Sequence, residues 1–403
     1  MRDTSLMQLA LGLTPPWMVA RAEFDRSAQR IDIHIDFSPG SRFACPACGA
    51  VCPVHDTEQK SWRHLNFFQH QAHLHARVPR VRCDTHGVRQ VAVPWARAGG
   101  GFTLLFEALL MELISAMPVK AVAELVGEHD TRLWRVVHHY VEQARARTDL
   151  SEVRRVAVDE TASRRGHNYI TLFADVDQAR VAFVAEGKDA ATVPAFAADL
   201  TEHGGDPEAV TEVCIDMSPA FIKGVGETLP NAAITFDKFH AVKLVNDAVD
   251  QVRREEQKKQ AVLRGTRYIW LRNPENLSER QQAMLETLPI RHLKTARAYQ
   301  IRLAFQELYD QPSASAGEAF LKRWYFWATH SRLPPVIEAA RTIKKHWAGI
   351  LRWFDSRIAN GLMEGFNSLV QAAKAKARGY RSNRNLIAMV YLITGKLDLQ
   401  LPA

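Results

Sequence analysis

The chain has 403 residues, enough for roughly two to four domains of ordinary size. Hydrophobic residues make up 47% and charged residues 24%, no apolar run approaches the ~20 residues of a membrane helix, and the first residues are too polar for a signal peptide. These features exclude an integral membrane protein and predict a cytoplasmic one. With 52 Lys+Arg against 44 Asp+Glu, the net charge of +8 favours a polyanionic partner.

Residues 1–40 form the first predicted segment, and we assign no chemistry to it. Its alternating Ile31, Ile33 and Ile35 predict a short β-hairpin.

A zinc site is predicted between residues 41 and 93. Cys45-x-x-Cys48 and Cys83-x-x-His86 are each followed directly by glycine, which permits a turn that points both side chains at one ion. Five cysteines without a secretion signal also favour metal ligands over disulfides. A third pair, Cys52-x-x-His55, lacks the glycine and is ranked as a spare. The alternative is two unrelated turns with incidental cysteines.

Residues 102–148 predict three helices. Pro118 stops the first helix, Gly127 ends the second, and Asp130 caps the third. This pattern fits a helix-turn-helix that presents Arg132 and Arg135 to DNA, or a plain three-helix bundle. A neighbouring zinc site and a basic chain favour DNA binding.

Acidic residues follow predicted strands in residues 152–240. Val156 to Val158 lead into Asp159 and Glu160, and later strands end at Asp216 and Asp237. An antiparallel pair lies around 169–174 and 180–185. Because side chains alternate along a strand, we expect Glu160 to point away from Asp159 and not to share its role.

The last third of the chain is predicted to be helical. Residues 241–351 carry amphipathic, highly charged helices without a strand signal, which indicates an all-α insertion. In residues 352–403 a helix beginning near Leu362 has an apolar stripe through Leu362, Phe366, Leu369 and Ala373. A polar stripe on the same helix contains Glu364, Asn367, Gln371, Lys374 and Arg378. Glu364 can reach Asp159 only if this helix packs at the sheet edge.

Asp159, Asp216 and Glu364 together suit a pair of Mg²⁺ (or Mn²⁺) ions that act on a phosphodiester. From spacing alone, three separate surface acids are the better interpretation. The surrounding segments change this. Three segments together resemble DDE-class bacterial insertion-sequence transposases, closest to the family called ISL-three. They are VDETASRRGHNYITLFADVD, CIDMSPAFIKGVGETLPNAAITFDKFHAVKLVNDAVDQVRR and NGLMEGFNSLVQAAKAKARGYRSN. The resemblance also covers the CPACG segment and the helix-turn-helix.

This resemblance implies a multidomain α/β protein with a ribonuclease-H-like mixed sheet and an all-α insertion, preceded by a zinc-ribbon-like module and a helix-turn-helix. Asp159, Asp216 and Glu364 would be the metal-binding triad, and Asp237 with His240 would match a supporting Asp/Cys-x-x-His motif. His86 departs from the family pattern, in which a second cysteine is expected. The zinc would be structural.

The resemblance further implies a nucleoid-associated enzyme that binds terminal inverted repeats and target DNA, and that is at least a dimer when it pairs two ends. Phosphate contacts are expected from basic residues around the last helices: Lys374, Lys376, Arg378, Arg381 and Arg384. Two alternatives remain at this stage, a Mg²⁺-dependent nuclease that does not join ends and a zinc-containing DNA-binding regulator.

Overall fold

A computed structural model describes residues 3–358 and 361–402. The chain divides into two units, Met1–Tyr140 with Leu399–Ala403, and Val141–Asp398. Within the described residues, no helix combines the length and the apolar character needed to cross a membrane.

The first unit is built on a sheet whose strands are β1 (Trp17–Asp25), β2 (Arg30–Phe37), β3 (Arg42–Ala44), β4 (Val51–Phe67), β5 (His70–Cys83) and β6 (Gly87–Gln90), preceded by α1 (Asp3–Ala10). The strand order is β1-β2-β5-β4-β3, with β6 paired to β5. β1 and β2 form the expected hairpin, and its isoleucines are buried against Trp17 and Leu74. β4 and β5 form a long antiparallel hairpin whose ends carry the cysteines.

Three helices complete this unit: α2 (Leu104–Ala116), α3 (Val119–Val126) and α4 (Asp130–Ala146), which extends into the second unit. Their bounds agree with the predicted helix-turn-helix. Gly127 ends α3 at φ 70°, a conformation that glycine adopts without steric cost. The segment before α2 is fixed in place, because Arg97 donates at 2.9 Å to the buried Glu107 and the Gly101 carbonyl accepts from the amide of Arg63.

The second unit contains a five-stranded sheet of β7 (Arg155–Arg164), β8 (Asn168–Asp175), β9 (Arg180–Glu186), β10 (Glu212–Ile215) and β11 (Ala233–Phe236), with α5 (Thr192–Glu202) and α6 (Pro219–Thr228) in the connections. The order is β11-β10-β7-β8-β9, in which β11, β10 and β7 are parallel and β7, β8 and β9 are antiparallel. This mixed sheet agrees with the expected ribonuclease-H-like core.

One strand boundary differs from the expectation. The sequence suggested that a strand ends at Asp159, but β7 continues to Arg164 because β8 pairs with it along its whole length. Only the parallel pairing to β10 stops early, at Ala157 opposite Cys214. Beyond that point one edge of β7 is free.

The remaining helices are α7 (Lys238–Gln257), α8 (Arg267–Leu271), α9 (Glu279–Thr287), α10 (Lys294–Gln306), α11 (Ala314–Thr329), α12 (Pro334–Lys345), α13 (Trp347–Leu351), α14 (Trp353–Ser356), α15 (Gly361–Lys376) and α16 (Asn383–Thr394). No strand occurs among the described residues after β11, as predicted for the insertion. Its core includes Val249 of α7, Phe305 of α10 and Leu321 of α11. Trp270, Trp324 and Trp353 are buried, whereas Trp327 is exposed.

Candidate active site and zinc site

Four side chains meet at the ends of the β4–β5 hairpin in the first unit. Cys45, Cys48, Cys83 and His86 offer ligand atoms that all lie within 4.8 Å of one another. Cys48 Sγ lies 3.7 Å from Cys83 Sγ, and Cys83 Sγ lies 3.6 Å from His86 Nδ1. Tetrahedral zinc with ordinary bond lengths sets these separations at about 3.8 Å and about 3.6 Å.

The four residues therefore fit a structural zinc ion, as the sequence predicted. Cys52 and His55 are not members of this group among the described residues. Cys52 is buried on β4, and its thiol donates to the Ala50 carbonyl instead. A site closed by four protein ligands stabilises the fold and leaves no position for a substrate.

Three aspartates lie at the same level of three parallel strands in the second unit, where β10 and β11 end and β7 continues. Cys214 of β10 pairs with Ala157 of β7 and with Thr235 of β11. Two residues further along the three strands lie Asp216, Asp159 and Asp237, so the register places them side by side. The carboxyl ends of parallel strands meet at one edge of the sheet, which is why these acids converge.

Burial and charge both act on Asp159. Burial raises the pKa of its carboxyl group and the nearby charge of Asp216 raises it further, while hydrogen bonds from the Glu160 amide and Asn367 and the charge of His240 oppose this rise. The net direction is upward. A carboxylate destabilised in this way gains from a neighbouring cation, which would remove the repulsion between the two aspartates.

Asp237 and His240 lie beside this pair. Asp237 is only 1% exposed, and its Oδ1 accepts from the amide of Phe239 at the start of α7. His240 Nε2 lies 3.8 Å from Asp237 Oδ2 and 3.9 Å from Asp159 Oδ1. Burial raises the pKa of Asp237, and Asp159 adds to the effect. The imidazole is thus placed between two acids.

The helix α15 docks along the free edge of β7. Asn367 Nδ2 donates to Asp159 Oδ2 at 2.7 Å, and Gln371 Nε2 donates to Thr161 Oγ1 at 2.7 Å. Lys374 Nζ donates to the carbonyl oxygen of Ala162. The polar stripe predicted from the sequence therefore faces the strand edge, where it bonds groups that β10 leaves unpaired.

The apolar stripe differs in part from the prediction. Met363, Phe366 and Val370 are the buried residues of α15, whereas Leu369 is 52% exposed. Docking at the edge of a strand rotates the helix relative to a position flat on the sheet, so its buried face shifts by about one residue.

Glu364 lies on the first turn of α15 and is exposed. Between Asn367 and Gln371 the helix rises about 6 Å, close to the ~6.6 Å that β7 advances between Asp159 and Thr161, so the two run alongside each other. Glu364 lies one helical turn before Asn367, the residue that donates to Asp159. Residues three apart on a helix are neighbours, with Cβ atoms about 5–6 Å apart.

Two residues near the acids were not assigned to the site from the sequence. The sequence places Asn367 in the polar stripe of α15 but does not indicate a role for it. Burial and then the charges of Asp216 and Asp159 raise the pKa of Glu160 to about 7, against the opposing charge of Lys188. Glu160 therefore lies within electrostatic reach of both aspartates. That its side chain points away from Asp159 stays a prediction. The sequence signal for Asn367 was its position three residues after Glu364 on the same helix.

The donor set at this edge suits a hard cation. Among the described residues the zinc group alone brings three or more ligands within 4.8 Å of one another, so the acids are more widely spaced. Asp237 Oδ2 and Asn367 Oδ1 are buried without a hydrogen-bond partner among the described atoms, and such oxygens are ligands that Mg²⁺ prefers.

The basic residues predicted to contact DNA have different surroundings. Arg132 donates to the Gly101 carbonyl and to Glu128 and lies over the Phe102 ring, so it stabilises the start of α4, whereas Arg135 is exposed. Near the C-terminus, Arg384 pairs with Glu142 at 2.7 Å, an exposed pair that a phosphate can replace. Lys376, Arg378 and Arg381 are exposed.

Comparison with known proteins relates these sites to a family. A transposase domain model of the ISL3 type matches residues 156–390, the helix-turn-helix domain of transposase family ISL3 matches residues 91–141, and the zinc finger of transposases IS204/IS1001/IS1096/IS1165 matches residues 41–86. The helix-turn-helix and transposase domains imply that the protein binds DNA.

Individual relatives resemble the chain over nearly its full length. The transposase for insertion sequence element IS1557 of Mycobacterium tuberculosis is 29% identical and covers 97% of this chain and 96% of its own. The transposase for insertion sequence element IS1001 of Bordetella parapertussis is 27% identical and covers 94% of this chain and 96% of its own. With its zinc ribbon, helix-turn-helix and mixed sheet in the family's order, the chain belongs to the ISL3 family of DDE transposases.

Proposed function

We propose that this transposase binds the terminal inverted repeats of its own insertion sequence and catalyses Mg²⁺-dependent cleavage and strand transfer with Asp159, Asp216 and Glu364. One observation carries the proposal: two of these acids share a level in adjacent strands, and the helix that bears the third is bonded directly to one of them. An acid triad gathered in this way suits ions that act on a phosphodiester.

We propose the following division of labour along the chain. Residues 41–93 and 102–148 would bind the element end, with residues 1–40 completing the first sheet. Residues 152–240 and 352–403 would form the catalytic core around the insertion of residues 241–351. Arg135, Lys376, Arg378, Arg381 and Arg384 would contact phosphates, whereas Arg132 and Lys374, held by internal hydrogen bonds, would support those contacts.

In the proposed reaction a pair of Mg²⁺ ions would activate the attacking oxygen and neutralise charge on the phosphate. Asp159, Asp216 and Glu364 would supply the ligand oxygens, and Asn367 would orient Asp159. In cleavage, water forms a bond to phosphorus and the bond to the 3′ oxygen breaks, which frees a 3′-hydroxyl. In joining, that 3′ oxygen forms a bond to a phosphorus of target DNA, and the bond from this phosphorus to the target's own 3′ oxygen breaks, which releases a target 3′-hydroxyl that takes up the proton. No protein nucleophile is required.

His240 lies between two of these acids, Asp159 and Asp237. We propose that Asp237 fixes the ring and that neither residue is an essential ligand. Synapsis of two element ends would bring together at least two copies of the chain.

A joining assay tests this proposal. Purified protein is incubated with a labelled element end, a target plasmid and Mg²⁺, beside the variants Asp159→Asn and Glu364→Gln and the control Glu227→Gln on exposed α6. We expect joined product with wild type and control and none with the two variants. Cleavage without joining would instead identify a nuclease. Binding of the end without any cleavage would identify a regulator, and joining that persists in both variants would overturn the triad.

A further inference from the structure

The helical region 241–351 carries a basic surface that none of the sites described above uses. Arg291, His292, Lys294 and Arg297 line a concavity of about 380 Å³ at the start of α10, together with Ile290, Leu293, Ala296 and Gln300. All four basic side chains are exposed. No acidic residue belongs to the lining.

A second segment extends this surface. Glu256, in the last turn of α7, accepts from the amides of Lys294 and Thr295 at 2.9 and 2.8 Å, so the end of α7 abuts the start of α10. Lys258 and Lys259 follow after Gln257 and are exposed. We call these six residues, Arg291, His292, Lys294, Arg297, Lys258 and Lys259, the insertion basic surface.

In the part of the chain that the structure describes, the lysines and arginines of this surface are not held in ion pairs. Within residues 3–358 and 361–402, the ion pairs of the second unit include Arg253 and Arg254 with Asp250, but none formed by these six residues. The neighbouring acids Glu255 and Glu256 accept from neutral donors, so their two negative charges offset part of the positive charge of this surface. A cluster of exposed positive charges creates a local potential that attracts polyanions.

We propose that the insertion basic surface binds the phosphate backbone of double-stranded DNA, a contact separate from the helix-turn-helix and from the catalytic acids. The inference rests on the proposed function in taking DNA as the polyanion. Such contacts are independent of base sequence and release counterions, so affinity falls with salt in proportion to the number of phosphates neutralised. The surface would add affinity without adding sequence preference.

Salt titration of DNA binding tests this proposal with the full-length protein. The variant Arg291→Gln/Lys294→Gln/Arg297→Gln removes three unpaired positive charges. The matched control Lys223→Gln/Arg254→Gln/Lys322→Gln removes three that already hold an acid, so the change in net charge is equal. Binding to a random-sequence duplex and to an element-end duplex is measured by anisotropy between 50 and 200 mM salt, with circular dichroism as the folding check.

With one phosphate lost per charge, the slope of log K against log salt becomes less steep by about 2.7 in the variant, so its affinity changes about 40-fold less over that range. The same change on both duplexes with an unaltered control slope supports the proposal. A variant slope equal to wild type, or an equal change in variant and control, overturns it. A change confined to the element end would also overturn it, because the contact would then depend on sequence. Loss of joining activity alone concerns the triad, because the salt dependence of DNA binding is measured without it.

Discussion

The side-chain amide of Asn367 donates to Asp159 Oδ2 at 2.7 Å, a bond between residues 208 positions apart in sequence. It couples α15 to the strand that carries the first acid, and it leaves Asn367 Oδ1 buried without a partner among the described atoms. We therefore propose that Asn367 positions Asp159.

We predict that Asn367→Ala lowers the affinity for Mn²⁺ by about 10- to 100-fold, the usual effect of losing a residue that orients a metal ligand. Titration of Mn²⁺ followed by electron paramagnetic resonance measures this without requiring activity. Ser368→Ala, on the exposed neighbouring position, is the control. An Asn367→Ala affinity equal to that of the control would show that the amide has no positioning role.

Removal of zinc is expected to unfold the first sheet. Because the ligands lie at the ends of the β4–β5 hairpin, chelation or Cys83→Ser should lower the melting temperature of the first unit and release one zinc per chain. Cys52→Ser should retain the metal, since its thiol donates to a carbonyl instead. Zinc content by atomic absorption distinguishes the two, and equal loss from both variants would contradict the ligand assignment.

Acid should destabilise the first unit through His64. Burial, then the charge of Arg63, lowers the pKa of this histidine to about 4, whereas it titrates near 6.5 when unfolded. Between pH 4 and pH 6.5 the unfolded chain therefore binds a proton that the folded chain does not. The contribution of neutral His64 to the free energy of unfolding is fully present above pH 6.5 and is lost as the pH falls to 4. It amounts to at most about 3 kcal/mol. Denaturant titrations should show that the free energy of unfolding differs less between pH 7 and pH 5 in His64→Gln than in wild type. An unchanged difference would exclude His64 as the cause.

The ion pair of Arg145 with Asp199 should contribute strongly to the stability of the second unit. It lies at 2.7 Å with side chains 11% and 18% exposed, and the guanidinium also covers the ring of Tyr391. Arg145→Met leaves a largely buried carboxylate unpaired, and we expect a loss of about 3 kcal/mol in the free energy of unfolding. Arg384→Met breaks an exposed pair with Glu142 and should cost less than about 1 kcal/mol. Urea denaturation compares them, and equal losses would contradict this reasoning.

Features that depend on neighbouring residues were predictable from the sequence. Turn residues such as Pro118 and Gly127 gave the helix bounds, and the spacing of two cysteine-containing turns gave the zinc ligands. The end of β7 was misplaced because its extension past Asp159 depends on pairing with β8. A pattern of apolar residues does not show that β7 loses its partner β10 on one edge while it keeps β8 on the other.

The surroundings of the acids depend on contacts that are distant in sequence. The resemblance to a family indicated Asp159, Asp216 and Glu364, but local pattern carried no information that Asn367 bonds Asp159 or that Glu160 lies in the field of Asp216. Both follow from the docking of α15 on the edge of β7 and from the register of β10. These are tertiary relationships.

Asp159, Asp216 and Glu364 are proposed to hold one metal centre. Iron-mediated cleavage tests this proposal most directly: Fe²⁺ replaces Mg²⁺, and hydroxyl radicals formed with ascorbate and peroxide cut the backbone near the bound ion. Fragments ending near all three residues, competed by Mg²⁺ and absent in Glu364→Gln, are the predicted result. Cuts near Asp159 and Asp216 that persist unchanged in Glu364→Gln, with none in α15, would contradict the account.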